Sequence, residues 1–450
     1  MESVDDRYAR GRQLRKQIPR SSHAEFKRAD TVDPVQLLID QEAGRLENLI
    51  PVRRERMGDN AFAFYRAGAK LMATDLATTP TTNLIVQASG DAHLANFGWY
   101  GSPERRLVFD ANDFDETLPA SFEWDLKRLA ASLVIACRDN SFDASDAEKV
   151  AARGVESYRD AMLEFAGEGY LDVWYEQLSA DYLLDELEKA GKNKVAKRAA
   201  KQTKKARRKD SRHVLGKLTE SVDGNNRIKE DPPFIVPVRS MESEYAPDVA
   251  TKFVEDGLDA YATSMPDHVA ILVRRYELVD FALKVVGVGS VGTRAYIAYL
   301  QGRDKTDPLF LQIKEAMPSV LEEFFPKSVY SSHGRRVAEG QRIMQTTTDM
   351  FLGYVTSGTG RDFYVRQLKD MKASASIEEF NPHEMRTYAK ACAWSLAQAH
   401  ARSGDAAVLS GYMGSGDVFA DAITEFAVAY ADQNEADYAA FEAQTKSDDA

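Results

Sequence analysis

The sequence predicts an α+β chain arranged as two lobes. Three observations predict it. Helical periodicity dominates residues 1–82 and 123–190, β-branched and aromatic residues gather between 284 and 370, and helical periodicity returns from 383 to about 441. With 450 residues, 44% of them hydrophobic, the chain can bury a large core, and its length suggests about two or three domains.

In chain order, "AFAFYRAGAKLMATDLA" is the clearest amphipathic piece of the first 82 residues. "TNLIVQASGD" reads as a short strand running into a loop, and "RRLVFDANDF" as a strand that delivers acids at its end. "EWDLKRLAASLVIACRD" (123–139) is a helix with Leu126, Leu129, Ala130, Leu133 and Val134 on one face. "DPPFIVPV" is a proline-punctuated boundary. "KVVGVGSVGTRAYIAYLQG" and "DPLFLQIKEA" read as strands and "RRVAEGQRIMQ" as a helix. "DMFLGYVTSGTGRDFYVRQLKD" reads as two strands around a glycine turn. "HEMRTYAKACAWSLAQAHARS" is a long helix with Tyr388, Cys392, Leu396 and Ala399 on one face. The resulting division is 1–82 (helical extension), 83–240, 241–375 (β-rich) and 376–450 (returning helices).

Two cysteines cannot build a disulfide framework, no apolar run is long enough to span a membrane, and the N-terminus lacks a secretory apolar core. Together these predict a cytoplasmic protein with no membrane partner. The net charge of −12 conceals a basic block, residues 189–217, with thirteen Lys/Arg and one acid. Such a block suits phosphate or nucleic acid, but no aromatic interleaves it, and a solvated helix is the plainer expectation.

The stretch Ser89–Thr117, "SGDAHLANFGWYGSPERRLVFDANDFDET", gathers Asp91, His93, Asn96, Asp110, Asn112, Asp113, Asp115 and Glu116. Acids capping turns and helix starts are the ordinary explanation. Two clusters separated by a strand suit phosphoryl transfer instead. One carboxylate takes the proton of an acceptor hydroxyl, while an asparagine and a second carboxylate hold Mg²⁺. His93 is not expected to be a ligand, since Mg²⁺ disfavours imidazole.

"GDAHLANF…NDFDE…WDLKRLA" resembles the catalytic segment of aminoglycoside phosphotransferases and related small-molecule kinases. That resemblance implies Asp91 as catalytic base, Asn96 and Asp113 as metal ligands with Asp110 and Asp115 as rivals, and Asp125 as the helix-start acid bracing the loop. Ser89 departs from the histidine usual there. Further on, Gly287-Val-Gly289-Ser290-Val-Gly292 is a glycine turn suited to phosphates. "FLQIKEA" resembles the kinase strand whose lysine meets the α- and β-phosphates. It implies that role for Lys314, with Glu339 as its orienting partner and Glu315, Glu322 and Glu323 as lesser candidates.

In kinases these parts come in the opposite order, so the resemblance implies a circularly permuted, protein-kinase-like two-lobed fold. The new ends lie between Ser403 and about Thr82. The cofactors implied are ATP and Mg²⁺, and the partner is an unknown small-molecule acceptor. Nucleotidyl transfer would reuse the same residues, and a catalytically silent nucleotide-binding module would share them. A dinucleotide-binding turn at Gly287–Gly292, with Glu315 as the ribose acid, is the other alternative. Arg66 is of a type that can reach a phosphate, but a helix-surface salt bridge is the plainer expectation. Over nearly its whole length the chain also resembles an uncharacterised bacterial family, the domain of unknown function 2252. "FAFYRAGA", "GDAHLANFG", "NDFDET", "VVGVGSVGTR", "LQIKEA" and "AHARSGD" carry that match.

Overall fold

The computed structural model describes residues 2–189, 193–208, 210–240, 257–285, 287–368 and 371–448. The expected boundary at 240/241 adjoins a stretch outside the described residues, as do four positions of the basic block. The chain is mixed α+β.

Among the described residues there are twelve strands: β1 (Ile85–Ala88), β2 (Phe97–Gly101), β3 (Leu107–Ala111), β4 (Leu118–Ser121), β5 (Thr219–Val222), β6 (Asn225–Ile228), β7 (Ile235–Pro237), β8 (Glu277–Lys284), β9 (Ala295–Gln301), β10 (Pro308–Glu315), β11 (Gly353–Thr356) and β12 (Asp362–Gln367). Six of them form one antiparallel sheet in the order β11-β12-β10-β9-β8-β7. β10 is buried along all eight residues. The twofold alternation of a strand decides what each side chain meets. Leu309, Leu311 and Ile313 pack with Val269 and Val273 of the helix Asp267–Val273. Phe310 lies on the other face with Ile297, Tyr299, Val214 and Leu218. Gln312 and Lys314 continue that second face towards a cleft.

The helical body is centred on the helix Phe122–Asp139. The sequence pattern predicts one buried face, yet every residue from Phe122 to Cys137 is buried. The helices Ala61–Ala67, Ala144–Ala166, Pro382–Ser403 and Val418–Asp448 all pack against it and leave it no wet side. Its core draws residues from Tyr65 to Ala431, so early and late parts of the chain share one interior. The helix Pro382–Ser403 opens with Pro382 at its first position and a capping box between Asn381 and Glu384, and it runs along Ala144–Ala166.

Residues 4–14 cross the helix Ala406–Met413 at paired glycines. A Cβ on Gly11 would lie 2.1 Å from the Val408 carbonyl, and one on Gly411 2.2 Å from that of Tyr8. Gly11→Ala is therefore expected to cost about 1–3 kcal/mol through overpacking, read as a lowered urea midpoint. An unchanged midpoint would show that the crossing relaxes freely. No helix among the described residues is long and apolar enough to cross a membrane.

Candidate functional site

β1 pairs with β4 and ends at Ala88, which delivers Ser89, Gly90 and Asp91 to the cleft. Gly90 has φ +74°, and a Cβ there would sit 2.5 Å from the Glu116 carbonyl, so this turn requires glycine. Asp125, in the first turn of the central helix, accepts from the Ser89 and Gly90 N–H groups at 2.6 and 2.9 Å. His400 lies beneath, with Nε2 3.2 Å from Asp125 Oδ2 and Nδ1 2.7 Å from the Tyr158 hydroxyl. Asp125→Ala would leave two buried donors and an imidazole without their acceptor. A loss of about 3 kcal/mol is expected, measurable by urea denaturation. A change below about 0.5 kcal/mol would refute the bracing role.

Asp91 stands at the front of this turn. Its Oδ1 accepts from Arg128 Nε at 2.6 Å and from Nη2 at 2.5 Å. Burial pushes its carboxyl up to about 7, against the opposing pull of Arg128. Asn96 turns its amide nitrogen back onto the Asp91 carbonyl at 2.7 Å, leaving the amide oxygen as the group it can offer a ligand. His93 has Nε2 3.7 Å from Asp91 Oδ2, and burial followed by Arg66 and Arg128 holds it neutral.

The second acidic cluster meets the sheet. Lys314 donates to Asp115 Oδ2, and its ammonium lies 3.6 Å from Asp113 Oδ1. Burial pulls Lys314 down, but Asp113 and Asp115 outweigh it and keep the ammonium charged. Burial pushes Asp113 up, but Lys314, Arg366 and Lys372 hold it below the usual carboxylate range. Asp110 is buried behind the cleft and accepts from the Ala111 and Thr346 N–H groups. Asp113 and Asp115 line the cleft and Asp110 does not.

Long side chains from the helix His333–Met344, the residue after it and β12 hold this loop. Gln345 donates to the Ala111 carbonyl at 2.6 Å, and Arg366 to that of Asn112 at 2.8 Å. Arg336 donates to the Asp115 and Thr117 carbonyls, each at 2.7 Å. Nothing in the sequence marks these residues, because backbone carbonyls leave no trace in side-chain spacing. Glu339 is not the partner of Lys314. Glu339 pairs with Arg342 at 3.0 Å, and the expected Lys314–Glu339 pair is not formed. In the helix His333–Met344, Gly340 packs onto Thr117 and Gln87, and Gln341 lines the cleft with Lys314. At about 100° per residue, Glu339 is about 200° around from Gln341. Of the lesser candidates, Glu315 pairs with Arg294 and Arg361, while Glu322 and Glu323 lie near Arg336 and Lys70.

The Gly287–Gly292 turn joins the antiparallel strands β8 and β9. A dinucleotide-binding turn leads from a strand into a helix, so that alternative loses its geometric basis. Ser290 Oγ reaches Asp115 Oδ2 at 3.4 Å. The residues expected to form a separate extension hold the turn. Arg45 donates to the Val291 carbonyl at 2.5 Å, Arg56 to that of Gly287 at 2.6 Å, and the Leu46 N–H to that of Gly292 at 2.8 Å. Near the floor, Gln87 N–H donates to Ser403 Oγ at 2.8 Å, so the end of the helix Pro382–Ser403 touches the strand that carries Asp91.

Three cavities meet here. An acidic cleft holds Asp91, Asn96, Asp113, Asp115 and Ser290. A polar chamber of about 830 Å³ lies under the sheet, lined by Gln312, Lys314, Arg366 and the last turn of the basic block at His213 and Lys217. A third, of about 420 Å³, is lined by Asp59, Phe62, Asp139, Glu378 and Tyr388.

Asp113 Oδ1 and Asp115 Oδ1 are buried without a hydrogen-bond partner. Among the described residues no group of three or more His, Cys, Asp or Glu side chains forms a metal cage. Mg²⁺ needs no such cage, because it keeps waters and takes one or two carboxylates plus phosphate oxygens. The two orphaned carboxylate oxygens and the Asn96 amide fit that requirement. No curated protein and no solved structure matches the chain. One family model matches residues 45–444, and the chain therefore belongs to DUF2252, the family described as an uncharacterized protein conserved in bacteria.

Proposed function

We propose that this protein is an ATP- and Mg²⁺-dependent phosphotransferase of kinase-like design, acting on a small-molecule acceptor. The observation that carries the reading is the meeting of Lys314 with Asp113 and Asp115, opposite Asp91 and beside the Gly287–Gly292 turn. The contact between Ser403 and Gln87 supports a permuted order, because it brings the end of the long helix to the strand that precedes Asp91.

In the reaction the acceptor oxygen bonds to the γ-phosphorus while the bond to the bridging oxygen of ADP breaks, and Asp91 takes the acceptor proton. A carboxyl pushed to about 7 suits that transfer near neutral pH. Bound Mg²⁺ would supply charge neutralisation at the phosphates. Asn96, Asp113 and Asp115 are the residues that would hold it. Lys314 places positive charge at the nucleotide phosphates, and the Gly287–Gly292 turn offers N–H donors with little side-chain bulk. The polar chamber has room for the nucleotide. The 420 Å³ cavity is of small-molecule size, and Asp59, Asp139 and Glu378 favour an acceptor carrying positive charge.

The test is consumption of γ-labelled ATP with Mg²⁺ by the full chain, screened over amine-bearing alcohols. Labelled product, abolished by EDTA, is expected. ATP binding with no product would select a silent nucleotide-binding module, and label carried from the α-position would select nucleotidyl transfer.

A further inference from the structure

Arg66 lies in the last turn of the helix Ala61–Ala67, where the sequence makes a surface salt bridge the plainer expectation. It alone among the described residues lines all three cavities. Its Nε is buried without a partner, and among the described residues no hydrogen bond or ion pair holds its guanidinium. The charges it faces are Asp91 and Asp113.

Every other arginine at this junction is engaged. Arg45 and Arg56 hold carbonyls of the glycine turn, Arg128 holds Asp91, and Arg336 and Arg366 hold the Asn112–Thr117 loop. Lys314 is likewise paired with two carboxylates. The expected helix-surface salt bridge does not form at Arg66.

Asp91, Asp113, Asp115 and Glu116 would repel any anion that came between them. A free guanidinium at that point offers a planar fork matched to a tetrahedral oxyanion. The glycine turn packs against the backbone of this helix end, since a Cβ on Gly289 would lie 3.4 Å from the Arg66 carbonyl.

We propose that Arg66 is an oxyanion-binding residue that grips a terminal phosphoryl group where the polar chamber, the acidic cleft and the 420 Å³ cavity join. This deepens the phosphotransferase reading and rests on it for the identity of the anion. It also places the transferring group on the N-terminal helices rather than on the two lobes alone.

The probe is inorganic tripolyphosphate with Mg²⁺, titrated calorimetrically into the full chain and into Arg66→Gln and Arg66→Lys proteins whose melting curves are recorded alongside. Arg66→Gln is expected to bind at least about tenfold more weakly. Arg66→Lys keeps the charge and loses the fork, so its affinity should fall between the two. Should Arg66→Gln fail to fold, an Arg66→Lys protein as tight as the parent overturns the assignment. A folded Arg66→Gln protein within twofold of the parent, or a parent that binds no tripolyphosphate, also overturns it. Arg66-dependent binding in a protein that never transfers phosphate upholds this inference and removes the phosphotransferase reading, so the two failures are distinguishable.

Discussion

Asp91→Asn is expected to lower ATP-dependent phosphoryl transfer by about 10²–10⁴-fold, the usual worth of a positioned general base. ATP binding should be nearly unchanged, because Asp91 faces the acceptor hydroxyl on this reading. The pH profile supplies a second readout. With the carboxyl pushed up to about 7, the deprotonated, working form is lost as pH falls through that value. Activity should therefore rise across pH 6–8 in the parent, and the residual activity of the variant should not follow that limb. Asparagine keeps the shape but leaves Arg128 facing a neutral amide, so melting curves must accompany the rates. A folded variant with parental kcat and an unaltered pH limb would exclude Asp91 as the base.

Lys314→Met carries the largest expected loss of both stability and activity. It leaves Asp113 and Asp115 without the ammonium that now lies against them. Removing one partner of a buried ion pair costs about 3–5 kcal/mol. The sign with pH follows from Asp113. Its folded-state pKa is held below the usual value, so the pairing energy is present above the unfolded pKa and fades as pH falls through the folded one. The parent–variant gap in urea midpoint should therefore be full at pH 7 and shrink at acid pH. Mg²⁺ should partly restore the variant, because the two carboxylates are then free to take the ion. A constant gap from pH 7 to strong acid, or no gap, would show that the Lys314 contacts contribute little. Loss of ATP binding in the same variant would tie the contact to the nucleotide.

Much of this site is legible in the sequence. Asp91, Asn96 and Asp113 sit within one short stretch, and local turn chemistry set by Gly90 and Asn96 brings them to one cleft. The alternation of β10 put Lys314 on the face opposite Leu311 and Ile313, so a strand pattern was enough to say which side it takes. Glu339 shows where pattern stops helping. A helix offers several faces, and the choice between Glu339 and Gln341 was made by Gly340 closing onto Thr117 and Gln87.

The amino-acid order by itself determined the α+β composition, the acidic pair of clusters, the glycine turn and the strand that carries the lysine. All of these depend on neighbours a few residues apart. Tertiary structure alone decided that Arg45, Arg56 and Arg66 reach across to the glycine turn and cleft, and that Arg336, Arg366 and Gln345 hold the acidic loop. It also decided that the central helix is buried on every side. The physical reason is that these outcomes depend on contacts between segments more than 200 residues apart, or on backbone carbonyls every residue possesses, and neither leaves a periodic trace in the chain.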